Sequence, residues 1–104
     1  MIKFVKISKK DIIFDRKNAS AVLNKACERA ISMELSGGFE TDERIVLCLE
    51  EVSSSKSKKI YTIVPVEDWT EDGLIGEINI RYTAGFSFSF SFKIDDSVWA
   101  IFYS

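Results

Sequence analysis

Phe86-Ser87-Phe88-Ser89-Phe90-Ser91-Phe92 alternates an aromatic ring with a small hydroxyl at every step. A side-chain period of two belongs to a β-strand, so the segment predicts a strand with one apolar and one polar face. Burying its phenylalanines contributes roughly 1.5–3 kcal/mol each, a large share of a small domain's stabilising term. A slip of one residue would put every ring in water, so the register should be firmly held. The rings read as core, not as a base-stacking platform. Such a platform needs cations beside it, and the nearby outward positions are Ser, Glu and Asn, with acidic turns on either side.

The strand needs a neighbour. Residues 74–82 also alternate, with Leu74, Ile78, Ile80 and Tyr82 on one side and Glu77, Asn79 and Arg81 on the other. Directly opposed residues share a face. A three-residue loop at Thr83-Ala84-Gly85 sets Tyr82 opposite Phe86, Ile80 opposite Phe88 and Ile78 opposite Phe90. A two-residue turn would mix the faces. A three-residue hairpin loop also wants a glycine in the left-handed region at its end, where Gly85 stands.

Upstream, residues 2–7 predict a short strand, and Ile12-Ile13-Phe14 a turn or a strand end. Ala19, Val22, Leu23, Ala26, Cys27, Ala30 and Ile31 recur at helical spacing, with Asn18 as N-cap and Gly37-Gly38 as the stop. Residues 44–49 and 60–66 predict two further strands, most simply a hairpin around the polar loop Ser53–Lys59. Pro65 cannot donate to a ladder, which places its strand at an edge or at its end. After the turn signal Asp95-Asp96, residues 97–103 predict a last antiparallel strand that is apolar on both faces. The fold class expected is α+β. Residues 1–104 form one domain, an antiparallel sheet of about five or six strands with one main helix (about 18–36) packed on one face.

Several function classes fall away. The chain has no histidine, which removes the commonest general base and metal ligand together. Cys27 and Cys48 cannot complete a structural zinc site within one chain, and they read as free buried thiols. No glycine-rich phosphate loop is present. The carboxylate pairs Glu50-Glu51, Glu67-Asp68, Glu71-Asp72 and Asp95-Asp96 fall on strands or solvated loops, and Asp68 to Asp72 lacks an EF-hand's ligand alternation. No catalytic residue, metal or cofactor is expected. Neither a signal peptide nor a membrane span is apparent, so a cytoplasmic location is expected.

The formal net charge of −2 argues against a general polyanion binder. It conceals a basic first third, with Lys3, Lys6, Lys9, Lys10, Arg16, Lys17, Lys25 and Arg29, and an acidic last third. Two features point to binding. Trp69 sits among Glu67, Asp68, Glu71 and Asp72, an aromatic anchor ringed by charges that would attract a basic protein. The doubly apolar last strand leaves one face to be covered, making Trp99, Ile101 and Tyr103 a candidate dimer or partner interface. The expected function is a non-enzymatic inhibitor or immunity-type protein that neutralises a basic partner such as a toxic nuclease. The alternatives are a homodimeric accessory module using the last strand, and a nucleic-acid binder using the N-terminal basic segment.

Overall fold

The computed structural model describes residues 2–28, 32–52, 59–67 and 70–104. The elements run β1 (Ile2–Ser8), α1 (Lys9–Phe14), α2 (Arg16–Cys27), β2 (Met33–Glu40), β3 (Arg44–Glu51), β4 (Tyr61–Val66), α3 (Glu71–Thr83), β5 (Ser87–Ile94) and β6 (Ser97–Tyr103). The α+β class stands. Instead of one sheet of five or six strands there are two three-stranded antiparallel sheets, ordered β1-β3-β2 and β4-β6-β5. So β3 and β4 do not form the expected hairpin, because β4 pairs with β6 in the second sheet.

The inner faces of the two sheets meet in one core. Val5, Ile7, Ile45, Leu47 and Leu49 of the first sheet share it with Ile63, Phe92, Ile94, Trp99 and Ile101 of the second. Ile12 of α1 and Ala19, Leu23, Ala26 and Cys27 of α2 close it. The helical stripe is therefore used as its spacing implies, but α2 is shorter than expected. Asp15, not Asn18, is its N-cap, and accepts from the Asn18 N–H at 3.1 Å. Gly37 and Gly38 lie in β2 and do not stop the helix. A Cβ on Gly38 would lie 2.6 Å from the Val46 carbonyl oxygen, so this strand pairing itself demands the glycine. Ala30 and Ile31 lie outside the described residues.

The phenylalanine strand holds the largest departure. Around Ser89 the β5–β6 register shifts: Phe88 pairs with Phe102, yet Phe90 pairs with Ile101. This β-bulge reverses the alternation halfway along. Phe90 and Phe92 face the main core. Phe86 and Phe88 turn to the opposite face and join Val64, Val66, Ala100 and Phe102 in a second apolar cluster. Both faces of β6 are thereby filled, and Ala100, Ile101 and Phe102 are fully buried.

Helix α3 covers that second cluster, over residues where a strand was expected. Leu74 and Ile78, one turn apart, pack onto it. Arg81 pairs with Glu77 at 2.9 Å and lays its guanidinium 5.0 Å from the Phe102 ring centre. Thr70 caps the helix by accepting the Gly73 N–H at 3.0 Å. At the other end Gly85 has φ +95°, as foreseen, but it caps a helix and does not close a hairpin. Its N–H donates to the Tyr82 carbonyl and the Phe86 N–H to the Arg81 carbonyl, the bond pair of a Schellman motif. Helix C-caps and three-residue hairpins both demand a left-handed glycine, so that signal could not separate them.

Strand β4 is at an edge, as Pro65 implies, and α2 seals that edge. The mutual bonds between Ile60 and Ser104 set the ladder phase, so Tyr61, Ile63 and Pro65 point their backbone groups away from β6. Asn24 accepts from the Tyr61 N–H at 2.7 Å and donates to its carbonyl at 3.0 Å. Ser20, one helical turn earlier, accepts from the Ile63 N–H at 3.0 Å. Pro65 has no N–H to satisfy. Two helix side chains thus do the work of a neighbouring strand. The Tyr61 hydroxyl then reaches across the core and accepts the Leu35 N–H of β2 at 2.8 Å.

Asn24→Ala removes both bonds to the edge, and is expected to lower the unfolding free energy by about 1–3 kcal/mol in urea titration. A second expectation concerns pH. Burial pushes the Tyr61 phenol up to about 12 from an ordinary value of 10.0, overcoming the opposite pull of the Leu35 N–H. Burial, reinforced by Glu34 and Glu28, raises the Cys27 thiol to about 11 from 9.0. Both groups hold their protons more tightly when folded. Their contribution is complete below about pH 9 and is lost as pH rises through 11 and 12. Tyr61→Phe should flatten the fall in stability between about pH 10 and 12.

Candidate protein-docking site

The acidic residues singled out from the sequence gather at the head of α3. Glu71 and Asp72 occupy its exposed first turn, where carboxylates also suit the positive end of the helix dipole. Glu67 is exposed at the end of β4 and lines a groove with Arg16, Gly73, Glu77 and Arg81. Asp68 and Trp69, the remaining members of the expected site, lie outside the described residues.

Beyond its head, α3 is apolar on more than the side that meets the sheet. Ile75 is 51% exposed, Ile80 69% and Tyr82 71%. At 100° per residue Glu71, Ile75 and Tyr82 fall on one ridge, directly beside the packed Leu74 and Ile78. Asp72 lies on the flank of this ridge, and Ile80 lies on the far side of the helix. The apolar arc from Leu74 to Ile75 is thus wider than its contact with the sheet covers. Among its described cations, Arg81 is already engaged by Glu77.

Ile80 and Tyr82 carried another role in the sequence, as inward residues of a strand, and Ile75 carried none. The signals that would have found the ridge were present. Leu74-Ile75 breaks the alternation, Thr70 precedes Glu71-Asp72 as a cap precedes a first turn, and Glu77 and Arg81 are four apart.

The second expected surface is placed differently. Trp99 and Ile101 belong to the main core at 8% and 0% exposure. Tyr103 is half-buried, tilted against Tyr61 at 6.0 Å between ring centres, with the Lys59 ammonium 4.4 Å from its ring. The two apolar faces of the last strand are both covered within the chain, so the exposed face that suggested an interface there does not exist. The N-terminal cations are spread over β1, α1 and α2, and Lys9 lies 3.6 Å from Glu40.

Cys27 and Cys48 are free thiols, the first buried and the second half-buried. Among the described residues no three metal-ligating side chains come together, and no helix is long and apolar enough to cross a membrane. No protein-family model, curated protein or solved structure matches this chain.

Proposed function

We propose that this chain is a small non-enzymatic binding domain of the inhibitor or immunity type, which neutralises a basic protein such as a toxic nuclease through α3 and the acidic segment before it. One observation carries the reading: the exposed Ile75–Tyr82 ridge headed by Glu71, Asp72 and Glu67. An amphipathic helix laid into a groove is a recurring mode of protein recognition. Tyrosine and isoleucine side chains supply buried contact area, and the carboxylates steer a cationic partner and reject anionic ones. Trp69, two residues before Glu71 in the chain, is the aromatic anchor read from the sequence. A reducing cytoplasm suits the free thiols of Cys27 and Cys48.

The test is comparative capture from source cells, using the tagged full chain and two surface variants. A cationic protein retained by the wild type should bind at least tenfold more weakly to the Ile75→Ala/Tyr82→Ala chain, a loss of about 1.4 kcal/mol or more. Glu71→Gln/Asp72→Gln should slow association and flatten its salt dependence. Retention of the same partner at unchanged affinity by both variants would contradict the reading.

A further inference from the structure

Among the described residues, nothing packs over the outer face of the β1-β3-β2 sheet. Phe4 and Phe39 are each 55% exposed there, and Ile2 60%. Val46, between the two rings, belongs to neither apolar cluster, and with Phe4, Lys6, Phe39, Thr41 and Arg44 it lines a shallow groove. Strand register orders this face in rows. Ser8 stands beside Arg44. Lys6, Val46 and Phe39 form the next row, then Phe4, Cys48 and Gly37, then Ile2, Glu50 and Glu34, the last paired with Lys59 at 3.0 Å. The face is therefore cationic at one end, apolar in the middle and anionic at the other.

Such a face complements itself. A two-fold axis lying in the face, across the strands between the Val46 and Cys48 rows, turns a second copy end for end while keeping each strand over its own counterpart. Arg44 then meets Glu50 of the second copy, and Lys6 meets the Phe4 ring, a cation–π pairing. Phe39 meets Gly37, whose missing side chain leaves open space, since nothing lies within 4 Å of where its Cβ would be. Val46 meets Cys48. A two-fold along β3 would instead set Arg44 against Arg44 and Glu50 against Glu50, and one across the strands through the Val46 row would set Phe39 against Phe39.

We infer that this face binds a second copy of the chain, forming an isologous dimer through face-to-face packing of the two β1-β3-β2 sheets. It uses none of the α3 surface, so it stands or falls separately from the binding function above. Three strands of about seven residues span roughly 14 Å by 24 Å. That is about 340 Å² on each copy, below the roughly 1,200 Å² total of stable specific interfaces, so the dimer should be weak, reversible and concentration-dependent.

Sedimentation velocity across micromolar to millimolar concentrations tests it, with circular dichroism confirming that each exposed-site variant is folded. The wild type should shift from monomer to dimer, and Phe39→Lys should remain monomeric. Arg44→Glu alone places like charges against Glu50 and should remain monomeric, as should Glu50→Arg alone. Mixed in equal amounts, these two chains should form a heterodimer. A short bis-maleimide should cross-link wild-type chains through Cys48, and Cys48→Ser should abolish the product. A wild type that stays monomeric throughout, or dimers indifferent to Phe39→Lys, would overturn the inference. So would a mixture of the charge variants that fails to pair. A monomer that instead binds a single-stranded oligonucleotide in a Phe39- and Arg44-dependent way would assign the face to nucleic acid and also overturn it.

Discussion

Strand β6 has no polar face, and everything around it follows from the need to cover it twice. Trp99 and Ile101 point one way, Ala100 and Phe102 the other, and all four are buried. The Ser89 bulge makes this workable. By reversing the alternation of β5, it gives each face of β6 two phenylalanine neighbours instead of giving one face four. One pair completes the core shared with the first sheet. The other makes a second apolar surface large enough to hold a helix, which is where α3 lies. An unbulged strand would have set Ser87 and Ser89 under that helix in place of Phe86 and Phe88.

The same layering explains how a short chain avoids leaving a usable sheet edge at β4. Burial of Leu23 and Ala19 brings α2 against the strand, and that approach places Ser20 and Asn24 over its backbone. Tyr61 connects three elements at this point: its backbone meets α2, its ring lies in the core, and its hydroxyl holds β2. An exposed edge invites pairing with other chains, and an occupied one suppresses it. The surfaces left for partners are therefore faces: the acidic, apolar ridge of α3 and the outer face of the β1-β3-β2 sheet. They lie on different layers: the first is acidic at its head, and the second carries cations at one end and carboxylates at the other.

Local signals were legible where a single meaning attached to them. The last strand and its Asp95-Asp96 turn, the edge position of Pro65, the stripe of α2 and the left-handed Gly85 could all be read from residue type and spacing. What failed was parity. Residues 74–82 satisfy a two-residue period at most positions, yet Leu74 and Ile78, Glu77 and Arg81 are also spaced as on a helix. The choice lay with Thr70 and with Ile75, which breaks the alternation. The Ser89 bulge left no mark in the sequence, because perfect alternation of Phe and Ser is what conceals a register shift. The acidic half of the docking site was visible as charge. Its apolar half was hidden because Ile80 and Tyr82 looked like core once residues 74–82 were taken as a strand.

The division of the phenylalanines is the point on which the placement of α3, and with it the exposed ridge, depends. Aromatic NOE contacts measured on the folded chain test it most directly. With the bulge, the Phe88 ring lies across from Phe102, their centres 5.8 Å apart, while Phe90 lies across from Ile101. Cross-peaks from Phe88 to Phe102, and to Leu74 or Ile78, are expected. Cross-peaks from Phe88 to Tyr103, with Phe88 sharing the core contacts of Phe90 and Phe92, would mean an unbroken alternation and contradict the two-cluster arrangement.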